Sequence, residues 1–219
     1  MQPDTIIDTT AEFIKAKFSG ESSGHDWWHI YRVWQNALFI AKHEKADIYV
    51  VQLAALLHDV ADWKFNDGDE TAGARIAEEY LKKLTVPDSI IIQVCRIIEE
   101  VSFKGAGVAT PATSIEAKIV QDADRLDAIG AIGIARAFAY GGYKHREMHN
   151  PAIQPEAHAS FEAYKKNTGP TINHFYEKLL LLKDLMQTAT GRKLATQRHD
   201  YMLAFLDQFY QEWNLNQNP

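Results

Sequence analysis

Residues 50–59, VVQLAALLHD, form the most apolar run in the first half of the chain, and the run ends in His58 and Asp59. An imidazole and a carboxylate side by side at the edge of a core are stable when they are paired or bind a metal. We therefore expect other parts of the chain to supply partners for these two side chains.

Two further side chains of the right type lie on predicted helices. Helical spacing places His29 upstream and Asp124 downstream on the apolar faces of their helices, as it does His58. A single inward histidine is more often a hydrogen-bonded core residue than a ligand. Two histidines and two aspartates together can hold a divalent cation that keeps open positions for water and phosphate oxygens.

Composition indicates one ordinary globular chain. Of 219 residues, 46% are hydrophobic and 24% charged, which fits a sizeable single core. The formal net charge is -6, from 29 acidic and 23 basic side chains. This balance argues against stable nucleic-acid binding, which needs a basic face. A small phosphate substrate remains compatible, because a metal and a few basic side chains supply local positive charge.

The single cysteine, Cys95, excludes an intramolecular disulfide and suits a reducing compartment. Its isoleucine and valine neighbours favour a small buried hydrophobe over a nucleophile. The N-terminus lacks the pattern of a signal peptide, and no apolar run approaches the ~20 residues that span a bilayer. We expect a soluble, cytoplasmic protein without membrane contact.

Periodicity and Gly/Ser/Pro breaks predict an all-α chain that forms a single domain over residues 1–219. The predicted helices cover residues 3–18, 26–40, 47–60, 69–84, 87–103, 114–128, 156–167, 169–189 and 192–215. Residues 141–155 are predicted as a loop. Its basic cluster, Lys144, His145, Arg146 and His149, fits either a solvated turn or a lid that faces phosphate.

Three sequence blocks resemble the HD-domain superfamily of metal-dependent phosphohydrolases. They are HDWWHIYRV (residues 25–33), LLHDVADWKF (56–65) and QDADRLDAIG (121–130), in the order typical of the family. The blocks are similar to those of a bacterial subgroup that includes a Bacillus nucleotide pyrophosphatase. The resemblance implies an HD-domain helical bundle with a motif core over 25–130 and C-terminal helices (156–215) packed on it.

The resemblance also implies roles for individual residues. His29, His58, Asp59 and Asp124 match the family's ligands for a divalent metal, with Mn²⁺ or Mg²⁺ expected. Asp62 and Asp67 are the nearest matches to catalytic carboxylates, although a related group has Glu at the first position. Asp122 and Asp127 are expected to orient ligands or Arg125 rather than bind metal.

Further side chains near these blocks suit phosphate chemistry. Lys64, Arg32 and Arg125 are the cations nearest in sequence, so we expect them to bind the substrate's phosphates. His25 is either an acid that protonates a leaving oxygen or only a helix cap. Four aromatic residues, Trp27, Trp28, Tyr31 and Trp63, either stack a base or belong to the core.

The predicted function is hydrolysis of nucleotides, with (d)NTP cleaved to (d)NMP and pyrophosphate. A nucleoside 5′-monophosphate phosphatase, a dNTP triphosphohydrolase and a non-catalytic nucleotide- or metal-sensing module are the alternatives. The expected partner is a small nucleotide, and the sequence leaves a homodimer open.

Overall fold

The computed structural model describes residues 2–20, 26–61, 71–101, 112–156 and 168–215. Within these ranges the chain has nine α-helices, one 3₁₀ helix and no strand, which confirms the predicted all-α class. The helices are α1 (Pro3–Lys17), α2 (Trp27–Ala41), α3 (Ile48–Leu57), α4 (Ala72–Lys83), α5 (Asp88–Val101), α6 (Ile115–Asp127), α7 (Gly130–Tyr143), α8 (Thr171–Glu177), the 3₁₀ helix (Leu179–Leu185) and α9 (Ala189–Trp213).

The apolar run 50–57 forms the central helix of the molecule. In α3, Val50, Val51 and residues 53–57 are buried, and the helix packs against α1, α2, α5 and α6. A helix that is apolar on all sides can only be stable in this position. Buried apolar side chains from Ile6 to Leu206 form one continuous cluster around it, as expected for a single domain.

Side-chain caps fix where the helices near the centre begin. Asp26 accepts a hydrogen bond from the backbone N–H of His29 at 2.8 Å, and Asp47 accepts one from Tyr49 at 2.9 Å. Ser114 accepts one from the N–H of Ala117 at 3.0 Å. Such caps satisfy amides that have no partner inside the helix, and they set the register of every side chain that follows.

The predicted helix 169–189 is wrong in its continuity. The chain forms α8, turns at Lys178 with φ −144° and ψ −58°, and continues as the 3₁₀ helix. Buried Leu179 and Leu182 are three residues apart, which suits a helix of three residues per turn. The backbone amides of Gln187 and Thr188 then bond to the Asp122 carboxylate instead of extending the helix.

Other boundaries differ from the sequence prediction by a few residues. Helix α3 ends at Leu57 rather than residue 60, and the last helix begins at Ala189 rather than 192. The predicted helix 156–167 lies outside the described residues except for its first position. Among the described helices, none combines the length and the apolar character needed to cross a membrane.

Candidate metal centre

Three helix ends bring the candidate ligands together. His29 lies in the first turn of α2, whose N-cap is Asp26. His58 is the C-cap of α3, so His58 and Asp59 emerge where the buried apolar run stops. Asp124 lies in the last turn of α6, which packs against both α2 and α3. The structure therefore places residues from three separate sequence blocks at one point.

The distances within this cluster are short. The Nε2 atom of His29 lies 3.3 Å from Oδ2 of Asp59 and 3.5 Å from Oδ1 of Asp124. The Nε2 atom of His58 lies 3.5 Å from the same Asp59 oxygen. Ligand atoms of His29, His58 and Asp59 all lie within 4.8 Å of one another. Asp124, with 30% of its side chain exposed, borders this group on the solvent side.

The hydrogen bonds of the two imidazoles engage Nδ1 and leave each Nε2 facing the candidate metal cluster. His58 Nδ1 lies 2.8 Å from the carbonyl oxygen of Ala55, and His29 Nδ1 lies 2.8 Å from Oδ2 of Asp127. Both oxygens accept, so both Nδ1 atoms carry a hydrogen, and in the neutral imidazole each Nε2 can supply a lone pair. Within the described residues, the buried Nε2 of His58 has no hydrogen-bond partner. A divalent cation would satisfy that atom, and nitrogen with carboxylate oxygen suits such a cation.

Asp127 connects the cluster to two guanidinium groups. Its carboxylate accepts from Arg32 Nε at 2.6 Å and Nη2 at 3.1 Å, and from Arg136 Nη1 at 2.6 Å. Burial acts to raise the pKa of Asp127, but the hydrogen bonds from His29 and Arg32 hold this pKa well below its usual range. Asp127 thus bonds to His29, a candidate ligand, and its orienting role stays a prediction.

The same contacts govern the protonation of His29. Burial acts to lower the pKa of His29, yet its bonds to Asp127 and Asp59 outweigh burial and raise this pKa to about 9. In the metal-free protein the imidazole is therefore protonated at neutral pH. A cation that binds at Nε2 must displace this proton.

The second spare carboxylate, Asp122, has a structural role. It is fully buried, and its oxygens accept from the backbone amides of Gln187 and Thr188 and from the Thr188 hydroxyl. These bonds attach the start of α9 to α6. Asp122 also lies 4.0 Å from Arg125, a contact too long to orient the guanidinium strongly.

The other predicted site residues are distributed differently. Arg32 is linked to the cluster indirectly, because it donates to Asp127, which also bonds to His29. Arg125 is buried, and its Nη1 donates to the carbonyl oxygen of Leu185 at 2.5 Å, so substrate binding by Arg125 stays a prediction. His25, Asp62, Lys64 and Asp67 lie outside the described residues, as does Trp63, and their roles also stay predictions.

Sequence reasoning missed Arg136 and Arg198. Arg136 follows a turn at Gly130, where φ is +74°, and returns to Asp127 from α7. Arg198 in α9 donates to the carbonyl oxygen of Leu126 and to Asn36, and its stem lies where a side chain at Gly130 would clash. The Gly/Ala-rich composition of 128–135 indicated close packing, but nothing in the sequence paired these arginines with α6.

The predicted loop 141–155 is wrong at its start, because residues 141–143 form the end of α7, and the basic cluster that follows contacts aromatic rings. The Lys144 ammonium lies 5.1 Å from the ring centre of Tyr143, and the Arg146 guanidinium lies 5.6 Å from that of Tyr140. His149 packs on Trp213 with ring centres 4.8 Å apart, and burial lowers the pKa of its imidazole. Closure of this loop over a substrate stays a prediction.

Cys95 behaves as the sequence indicated. It is half-buried, its Sγ lies 3.4 Å from the carbonyl oxygen of Ala74, and burial raises the pKa of the thiol to about 11. A thiol with so high a pKa is a weak nucleophile at neutral pH.

Comparison with known proteins agrees with this geometry. The sequence model of the HD domain family matches residues 27–129, the segment that carries all four candidate ligands. The Bacillus subtilis protein YpgQ is 42% identical over 199 residues, which cover 90% of this chain and 88% of YpgQ. The chain belongs to the HD-domain family.

Solved structures extend the likeness over nearly the whole chain. A Lactobacillus plantarum protein superposes with a TM-score of 0.85 at 37% identity, covering 98% of this chain and 100% of its own. An HD-superfamily hydrolase from Bacillus thuringiensis has a TM-score of 0.77 at 42% identity. The superposition covers 97% of this chain and 99% of that protein. YpgQ crystallised with ADP has a TM-score of 0.75 at 35% identity over the superposed residues, with 94% and 97% covered.

Metal affinity is predicted to depend on pH. Because the pKa of His29 is about 9 in the metal-free protein, a proton competes with the cation at lower pH. We expect the association constant for Mn²⁺ to fall roughly tenfold per pH unit below this pKa, with about one proton released per cation at pH 7.5. Calorimetric titration in buffers of different ionisation enthalpy measures both quantities. A constant affinity between pH 6.5 and 8.5 would contradict the assignment of His29 as a ligand.

A second prediction concerns Asp127. In Asp127→Asn the acceptor for His29 is retained, but the charge that holds Arg32 and Arg136 is lost. We expect Mn²⁺ affinity to fall about 10- to 100-fold, as for other outer-shell partners of metal-bound histidines. Asp122→Asn is the matched control, a buried carboxylate on the same helix that does not contact His29. It should destabilise the protein and keep its metal affinity. An equal loss of affinity in both variants would point to general destabilisation.

Proposed function

We propose that this protein is a divalent-metal-dependent phosphohydrolase that acts on nucleotides and cleaves (d)NTP to (d)NMP and pyrophosphate. One observation carries the proposal: the Nε2 atoms of two oriented histidines meet the carboxylates of Asp59 and Asp124 beside a guanidinium held by Asp127. Membership of the HD-domain family supports metal-dependent hydrolysis. The ADP complex of the relative YpgQ supports a nucleotide as the substrate class.

His29, His58, Asp59 and Asp124 would hold the cation, and Mn²⁺ or Mg²⁺ suits their nitrogen and oxygen donors. When bound, the cation supplies Lewis-acid polarisation of a phosphoryl oxygen and a water of lowered pKa. The chain's own contribution is to orient both imidazoles through their Nδ1 hydrogen bonds. The buried apolar side chains of α3 come immediately before His58 and Asp59.

Arg32 is proposed to bind a phosphate group next to the cation. Asp127 engages Nε and Nη2 of its guanidinium in a two-point contact, which fixes the plane of the group. The side chain is 31% exposed, so its outer edge can meet a phosphate from solvent. A guanidinium fixed in advance stabilises developing negative charge without reorganisation.

The remaining predicted roles fall on four residues outside the described ranges and on the buried Arg125. Asp62 is proposed to accept the proton of the attacking water, with Asp67 as the second carboxylate. His25 is proposed to protonate the leaving oxygen, while Lys64 and Arg125 are proposed as additional phosphate ligands. The roles of Asp62 and Asp67 rest on the resemblance of the sequence blocks, and those of His25, Lys64 and Arg125 on their nearness in sequence to these blocks.

Product analysis in labelled water tests the proposal. The purified protein would be incubated with Mn²⁺ and each common (d)NTP and NMP in H₂¹⁸O, with an EDTA control. Attack at the α-phosphorus predicts pyrophosphate and (d)NMP, with ¹⁸O in the monophosphate, and no product in EDTA. Orthophosphate released from NMP would instead indicate a nucleoside 5′-monophosphate phosphatase. Tripolyphosphate released from dNTP would indicate a triphosphohydrolase. Metal-loaded protein that turns over none of them would favour a sensing module.

Asp59 is predicted to be indispensable for metal and activity together. In Asp59→Ala the two imidazoles keep their Nδ1 partners, so the fold should persist while the carboxylate shared by both Nε2 atoms is lost. We expect Mn²⁺ binding and hydrolysis to fall by about two orders of magnitude or more, with an unchanged circular dichroism spectrum. Asp8→Ala, an exposed position on α1, is the control. Full activity in Asp59→Ala would refute the site.

A further inference from the structure

The aromatic residues at the start of α2 divide into two groups. Trp27 and Trp34 are partly buried and pack against the hydrophobic core. Trp28 and Tyr31 lie outside that cluster, with exposed fractions of 60% and 38%. Core packing therefore accounts for the first pair, while the second pair keeps much of its ring surface exposed. Large exposed aromatic side chains of this kind often mark a binding surface.

Helix geometry places the exposed pair next to the metal centre. At 3.6 residues per turn, side chains project about 100° apart, so the order around α2 is His29, Arg32, Trp28, Tyr31. Trp28 and Arg32 differ by four residues, lie about 40° apart around the helix and about 6 Å along it. Arg32 reaches Asp127, which also bonds His29. Trp28 therefore borders Arg32 on the side away from the ligand cluster.

Ring contacts hold Trp28 in place. Tyr31 meets its indole edge-on, with ring centres 5.9 Å apart and planes at 83°. Tyr31 itself meets Trp34 at 6.2 Å, again edge-on, and Trp34 donates from Nε1 to Gln52 in the central helix at 3.2 Å. The exposed indole is thus braced through two rings to the core, and bracing of this type reduces the entropy lost on binding.

We propose that the Trp28 indole stacks on the base of the bound nucleotide, with Tyr31 as the positioning residue that holds it. The inference rests on the proposed function and adds a base subsite to it. The phosphates would lie at Arg32 and the metal centre, and the base one helical turn closer to the start of α2. Because every base has a π face, we expect stacking on an indole to tolerate all bases, with purines bound more tightly than pyrimidines.

Binding of ADP and of inorganic pyrophosphate separates this subsite from the phosphate site. Both ligands would be titrated by calorimetry, with Mn²⁺ present, into wild type, Trp28→Ala and Trp28→Phe. We expect Trp28→Ala to weaken ADP binding about 5- to 150-fold, the range for loss of one base–aromatic stack. Pyrophosphate and Mn²⁺ affinities should stay within twofold, and Trp28→Phe should restore most of the ADP affinity. Tyr31→Ala should show a smaller loss confined to ADP.

Phe39→Ala is the matched control. Phe39 is a 49% exposed aromatic residue on the same helix, where it packs against His43. It lies eleven residues from Trp28, about 16 Å along the helix, so its removal should leave ADP binding unchanged. Quenching of tryptophan fluorescence by ADP gives a second readout, which Trp28→Phe should largely abolish.

The outcomes distinguish the two proposals. An unchanged ADP affinity in Trp28→Ala, or an equal loss for ADP and pyrophosphate, would overturn the base subsite even if nucleotides are hydrolysed. ADP binding that depends on Trp28 in a protein without turnover would support the subsite and refute the hydrolase. A wild type that binds no ADP would overturn both.

Discussion

The bond between Asp127 and His29 joins the fold to the chemistry of this protein. Asp127 is buried, and a buried carboxylate is stable only when charged or polar donors replace its water. His29 and Arg32 from α2 and Arg136 from α7 provide them. The same contacts hold three helices together, put the hydrogen of His29 on Nδ1 and fix the plane of Arg32. The same contacts therefore determine both how these helices pack and how the side chains of the site are oriented.

The central helix imposes the complementary constraint. Because α3 is buried on nearly all sides, it must end where polar side chains can leave the core, and His58 and Asp59 occupy that end. His58 uses Nδ1 on the Ala55 carbonyl oxygen and keeps Nε2 for the cluster. The apolar run that stabilises the fold thus ends in two metal-ligand side chains, and the helices around it supply the others.

Much of this arrangement could be predicted from the sequence, because it follows from short-range patterns. Periodicity put His29, His58 and Asp124 on inward faces, and three ordered blocks identified the family. What failed depends on contacts between distant segments. The 3₁₀ helix is followed by amides of Gln187 and Thr188 that bond Asp122, 65 and 66 residues earlier, and Arg136 reaches Asp127 across the turn at Gly130. No local pattern encodes such pairings.

The charges around the cluster make the proposed phosphate substrate compatible with an acidic protein. In the metal-free protein Asp59, Asp124 and Asp127 are offset by Arg32, Arg136 and a protonated His29, so the site is close to neutral. A divalent cation replaces one proton by two positive charges and makes the loaded site attractive to phosphate. In the proposed function, metal and substrate binding are then coupled through charge, and the proposed base subsite at Trp28 meets the uncharged end of the nucleotide. The negative net charge of the whole chain does not oppose this, since charges beyond about 10 Å are screened at 0.1 M salt.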